Sequence, residues 1–297
     1  MKKFFARLLP APLRRRIDPD WTPRATVAVV RLNGVIGAVS PLRGGIDLAS
    51  VAASLEGAFE MKGVKAVALS INSPGGSPVQ SSLIYKRVRA LAEEKSLPVY
   101  AFAEDVAASG GYMLACAADE IYADESSIVG SIGVVSAGFG FAGLIEKLGV
   151  ERRVHTAGES KSMLDPFKPE NPDDVARLEA LQREVHENFK SLVRRSRGPR
   201  LADASGEIFT GAFWAAEGAK ARGLIDGIGD LRTVMRRKFG KEVRLKVVGS
   251  RKPFWRRGIG LTGGSNSLPE PASLADGLAQ GLIGAIEARS LWSRFGL

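Results

Sequence analysis

Residues 97–125 read LPVYAFAEDVAASGGYMLACAADEIYADE. The run LPVYAFAE (97–104) is apolar and β-prone, a small-residue helix follows from about Ala108 to Ala118, and EIYADE resumes a strand pattern. A strand, a glycine-rich junction, a helix and a second strand in so short a space predict a βαβ unit with parallel strands.

The same punctuation recurs on either side. TVAVVRLNGVIG after Ala25 reads as a buried strand bounded by Pro23 and glycines, and VKAVALSI (64–71) as a second, ending at NSPGGSP. A helix through LIYKRVRALAEEK follows, and beyond residue 125 come SSIVGSIGVVS, the helix FAGLIEKLG and the strand ERRVHTAG. The fold class expected is α/β, a largely parallel sheet flanked by helices.

After the proline-rich turn DPFKPENP, Asn171 reads as an N-cap, Pro172 as the first helical residue, and Asp173 and Asp174 suit the positive end of the helix dipole. Val175, Leu178, Leu181, Val185, Phe189 and Leu192 then form a core-facing stripe, and His186 reads as solvated and out of phase with it. The body is expected to close near KEVRLKVVG (241–249). This divides the chain into a basic segment (1–24), a domain (25–249), a linker (250–272) and an amphipathic terminal helix (273–297) separate from the body.

Charge and composition exclude several functions. The net charge is +10, but residues 1–24 carry +5 and residues 250–297 carry +3, leaving +2 for the domain. A duplex-binding groove needs its basic residues on the folded body, so no nucleic-acid partner is expected. One cysteine and two histidines offer no disulfide and little for a zinc cluster, so no metal or cofactor is expected. Cys116, inside YMLACAA, reads as a buried, inert thiol. The apolar run FFARLLPAPL is broken by Arg7, Pro10 and Pro12 and lacks a cleavage site, so neither a cleaved signal nor a transmembrane helix is expected.

The chemistry gathers at two strand-to-helix junctions, SINSPGGSP (70–78) and DVAASGGYM (105–113). N–H groups at a helix start lack intrahelical partners and suit an anion or a developing oxyanion. Ser109 stands at the second junction, either as a helix N-cap or as an exposed nucleophile beside such donors. A nucleophilic serine needs a base. The residues offer His155, or Lys161 in TAGESKSMLDPF, whose ammonium must be desolvated by neighbours such as Met163, Leu164 and Phe167 before it accepts a proton.

INSPGGSP, AASGGYMLACAADEIYADESSIVGSIGVV, AGESKSMLDPF and IFTGAFWAAEGAKARGLIDGIGDL follow in consistent order between residues 71 and 231, within a stretch of about 210 residues. Residues 25–235 thereby resemble the bacterial signal peptide peptidases of the SppA/SohB family, membrane-associated Ser-Lys serine peptidases. The resemblance implies a ClpP/crotonase-like fold, a repeated ββα spiral. It implies Ser109 as nucleophile, Lys161 as general base and Ser131 as the residue that orients the lysine. It further implies that the Gly76 and Gly110 N–H groups form an oxyanion hole. Small residues around Ser109 and in VGSIGVVSAGFG read as a groove for an extended peptide, with Gly75, Gly130, Ile132 and Gly133 along it. Hydrophobic peptides such as signal-peptide remnants are the implied substrates, and a ring-like homo-oligomer the implied assembly.

Typical family members carry an N-terminal transmembrane anchor, and none is expected here. A cytoplasmic location, or peripheral contact with the cytoplasmic membrane through the basic termini, is expected instead. Two competing readings use the same fold. A crotonase-type acyl-CoA enzyme places a glycine where Ser109 stands and needs an active-site carboxylate near the second junction. A non-catalytic membrane-surface scaffold predicts loss of the serine or the lysine, and both are present.

Overall fold

A computed structural model describes residues 24–37, 45–158, 160–202, 206–249 and 289–297 of the chain. Strands β1 (Thr26–Asn33), β2 (Val64–Ser73) and β3 (Val99–Ala108) lie parallel side by side and carry the sheet. β8 (Arg244–Val248) adds to the free side of β1 in parallel. On the other side, β3 pairs in parallel with β4 (Glu120–Ala123) near its start and with β5 (Ile128–Gly130) near its end. β7 (Gly227–Ile228) extends β4 in parallel, and β6 (Phe213–Ala215) closes the β5 edge antiparallel. The sheet is therefore mostly parallel and flanked by helices, as the alternating pattern predicts.

Helices α1 (Leu48–Phe59), α2 (Pro78–Lys95) and α3 (Gly110–Ala115) pack with β1, β2 and β3 around the larger core, where Leu32, Leu55, Leu69, Ile71, Ile84 and Tyr112 are fully buried. Local chemistry sets their starts. Asp47 accepts from the Ser50 N–H at 2.7 Å in a capping box, and Ser77 accepts from the Gln80 N–H ahead of Pro78. The opposite face of the sheet holds a smaller core under α6 (Leu231–Phe239), whose Val234 and Met235 meet Val27, Val29, Tyr100 and Tyr122. Strands covered on both faces must be apolar at every position, which is why these runs do not alternate.

Helix α5 (Pro172–Arg197) starts as expected, with Asn171 accepting from the Asp173 N–H and Pro172 at its first turn. Its stripe buries only in the second half, at Phe189, Leu192 and Val193, while Leu181 is 51% exposed. At its C-terminal end Arg197 is fully buried and grips Asp226 with two bonds, of 2.8 and 3.0 Å, and the Gly223 carbonyl with a third. Asp226 also accepts from the Ile121 N–H at 2.7 Å. Burial pushes this carboxyl up, but those hydrogen bonds and the guanidinium charges outweigh it and hold Asp226 below the usual carboxylate range.

Three expectations change. ERRVHTAG (151–158) forms no strand, because it lies exposed and finds no strand among the described residues to pair with. The apolar run around SSIVGSIGVVS keeps strand structure only over Ile128–Gly130. The terminal helix is not wholly separate from the body. Residues 273–288 lie outside the described residues, as do 1–23 and 250–272, but within 289–297 Phe295 is buried against Val106 and Ala108, with Trp292 beside it.

Candidate active site

β2 and β3 end side by side, so the loops that leave them meet. Ser73 on β2 pairs with Ala107 on β3, two residues before Ser109. Ile36 then laces the first loop in place, donating its N–H to the Gly75 carbonyl at 2.8 Å and accepting from Ser77 at the same distance. Both glycines of the SPGG turn are required here. Gly75 has φ +105°, and a Cβ there would lie 2.7 Å from the Ser109 Cβ and 3.0 Å from the Gly110 nitrogen. Gly76 has φ +138°, and its Cβ would strike the Ile36 carbonyl at 2.1 Å.

Ser109 sits at the start of α3 with φ 52° and ψ −121°, and its hydroxyl makes no capping bond. The N-cap reading of this serine therefore fails. A non-glycine residue in this region costs on the order of 1–3 kcal/mol and persists only where the surroundings fix it. Here the Ser109 N–H is fixed by the Gly130 carbonyl at 2.8 Å, and its own carbonyl accepts from Met113. Gly110 is the first residue of α3, so its N–H has no intrahelical partner. The Gly76 and Gly110 N–H groups make no hydrogen bond to another described residue.

Ser131 lies beside Ser109, because Ala108 and Gly130 are paired in parallel and both chains continue one residue further. Ser131 also takes positive φ, 54°, is buried, and donates its N–H to the Ala212 carbonyl at 2.7 Å. The groove stretch begins at Gly130 and reaches Gly133, whose N–H bonds the Ser131 carbonyl at 3.0 Å. Ile132 is fully buried in the larger core, so its side chain does not line the expected groove.

Lys161 is not brought to this cluster within the chain. It lies on an exposed strap, described over residues 134–158 and 160–171, and its ammonium makes no hydrogen bond or ion pair with any described residue. The apolar setting anticipated for it is not formed. Leu164 is itself exposed, and Phe167 packs instead on Phe141 and under the Arg152 guanidinium. Arg152 also pairs with the buried Asp165 carboxylate at 3.1 Å. With the first half of α5, the strap frames a cleft of about 920 Å³ lined by Phe139, Phe141, Met163, Leu164 and Leu178. The strap also includes the short helix α4 (Ala142–Lys147), which buries none of its residues.

His155 is exposed on the strap. His186 is half-buried, not solvated, and its Nε2 lies 3.1 Å from the Ile132 carbonyl. The spacing 186, 189, 193 puts it on the face of α5 that buries Phe189 and Val193, which a reading of the stripe from Leu181 and Val185 misses. Phe213, beside Gly130, and Phe295, at 5.1 Å ring to ring from it, are two further neighbours that no local pattern announces. Burial pushes the Cys116 thiol up to about 12, so it is no nucleophile at neutral pH. Among the described residues no group of His, Cys, Asp and Glu is placed to hold a metal, and no helix is long and apolar enough to cross a membrane.

Comparison with known proteins matches this chain to one family. The model of Peptidase family S49 matches residues 91–245, which hold Ser109, Ser131 and Lys161. A protein of Brucella abortus named as the Na(+)/H(+) antiporter NhaA is 50% identical over 295 residues, 97% of this chain but 39% of that protein. The chloroplastic serine protease SPPA of Arabidopsis thaliana is 34% identical over 213 residues, 70% of this chain and 31% of that one. A Synechocystis protein named as a protease is 33% identical over 229 residues, 74% of this chain and 78% of its own length. The chain thus spans well under half of the first two relatives, and the transport name belongs to a protein more than twice as long. The match over more than half the chain, with the protease relatives, places this chain in peptidase family S49.

Proposed function

We propose that the chain is a serine peptidase that cleaves hydrophobic peptides through Ser109, with Lys161 as general base. The observation that carries the reading is Ser109 itself, strained at φ 52° and ψ −121°, uncapped, and pressed between Gly75 and Gly110. In this mechanism Ser109 Oγ attacks the peptide carbonyl carbon while its proton passes to neutral Lys161 Nζ. The Gly76 and Gly110 N–H groups take the charge on the tetrahedral oxyanion. As the C–N bond breaks, Lys161 returns the proton to the leaving amine, and water then hydrolyses the acyl-serine by the same relay. Ser131, next to Ser109, orients the lysine amine.

A general base of this kind must be desolvated to be neutral near pH 7, and Lys161 is exposed in the single chain. The strap that carries it also exposes Phe139, Leu144, Leu148 and Val150. Apolar surface left open in this way marks a contact. We therefore place the working site in a homo-oligomer, in which a neighbouring copy covers the strap and Lys161 meets a Ser109.

Labelling with a serine-directed fluorophosphonate tests this. An adduct on Ser109 that vanishes in Ser109→Ala and in Lys161→Ala is expected. Mixing the two inactive variants should restore part of the peptide hydrolysis if the pair is shared between copies. A folded wild-type chain that stays unlabelled from neutral to alkaline pH overturns the reading.

A further inference from the structure

Ser131 and the groove stretch after it stand at the end of β5, a strand of three residues, and so small an element does not fix the backbone beyond it. Each residue of the stretch is tied from a different side. Gly130 gives its carbonyl to Ser109, Ser131 gives its N–H to Ala212, and Ile132 gives its carbonyl to His186 at 3.1 Å. A carbonyl only accepts, so His186 Nε2 carries the hydrogen in this contact.

The helix that supplies His186 is anchored at both ends. Toward its C-terminus Ser196 bonds the Cys116 carbonyl at 2.7 Å, just beyond α3, and Arg197 grips Asp226. Toward its N-terminus Arg177 donates to Ser160 Oγ at 2.8 Å and Asp174 accepts from the Leu164 N–H at 3.2 Å, which holds the turn that carries Lys161. α5 therefore connects the lysine turn with the serine body, and His186 is the point where it touches the Ser131 stretch.

We propose that His186 is a positioning residue for peptide hydrolysis, its Nε2–H holding the Ile132 carbonyl so that Ser131 and the groove backbone keep their place beside Ser109. The proposal rests on the serine-peptidase reading. His186 touches neither substrate nor reacting atoms, so its removal should slow the chemical step without abolishing it. One neutral hydrogen bond is worth up to about tenfold in rate.

The test compares His186→Leu, His186→Gln and His186→Glu in the full chain, reading the rate of fluorophosphonate labelling at Ser109, kcat and KM for a hydrophobic peptide, and thermal unfolding. Gln keeps an N–H donor, whereas Glu has the same shape and no hydrogen to donate at neutral pH. The expected result is that Leu and Glu lower kcat and labelling about tenfold with KM changed less than threefold, and that Gln stays within threefold of wild type. The Gln and Glu pair decides the question even where Leu fails to fold. Equal rates for Gln and Glu, or wild-type rates in folded Leu, overturn the positioning role while leaving the peptidase reading intact. A wild type that neither labels nor hydrolyses overturns both.

Discussion

The three-stranded centre of the sheet and the strap over residues 134–171 are both rich in apolar residues, yet they end in opposite states. Val67, Leu69 and Ile71 on β2 are entirely excluded from water, whereas Phe139 is 82% and Leu148 67% exposed. These β2 residues find their partners within their own chain, a strand on either side and a helix layer above. The strap has no strand neighbour, and α4 buries nothing. Hydrophobicity is thus a demand for a partner, and whether the chain itself supplies it depends on topology. The proposed nucleophile stands on the self-sufficient region and the proposed base on the one that is not.

The largest expected effect is at the proposed nucleophile. Ser109→Gly should abolish hydrolysis, by a factor on the order of 10⁶, while relieving the backbone strain and stabilising the fold by about 1 kcal/mol. Peptide assay and thermal unfolding on one preparation check both, and a less stable Ser109→Gly chain would contradict the strain argument.

Asp226→Ala strands the buried Arg197 charge and should cost about 3–5 kcal/mol in denaturant unfolding. Because the folded carboxyl is held low, its contribution is complete above the unfolded value near 4 and is lost as pH falls through the lower folded value. Asp226→Asn should accordingly flatten the acid limb of stability against pH below about pH 4.

Leu69→Ala opens a cavity in a fully buried position and should cost about 2–5 kcal/mol. The matching change on the strap, Leu148→Ala, should stay within about 0.5 kcal/mol for the isolated chain. Phe139→Glu is the smallest perturbation of stability but should shift sedimentation toward monomer and lower activity with it. If Phe139→Glu leaves assembly untouched, the contrast between the two regions loses its functional meaning.

Much of the sheet was legible because strands buried on both faces are written as unbroken apolar runs between glycine and proline. The two junctions were legible for the same local reason. What escaped was each feature set by a distant neighbour. ERRVHTAG has strand composition but no strand to pair with, and Ile132 sits in a groove motif yet buries its side chain. His186 meets Ile132 across 54 residues of chain, and Phe295 covers Val106 from far along the chain.

The sequence by itself determined the parallel α/β order, the inert Cys116, the capped start of α5 and Ser109 and Lys161 as residues to watch, since these rest on short-range pattern, whereas Ser131 entered through the family resemblance. Only the tertiary structure decided that Ser109 is strained and uncapped, that Ser131 stands beside it, and that Lys161 is exposed. Strain and proximity come from strand register and long-range hydrogen bonds, and neither is a property of residues adjacent in the chain.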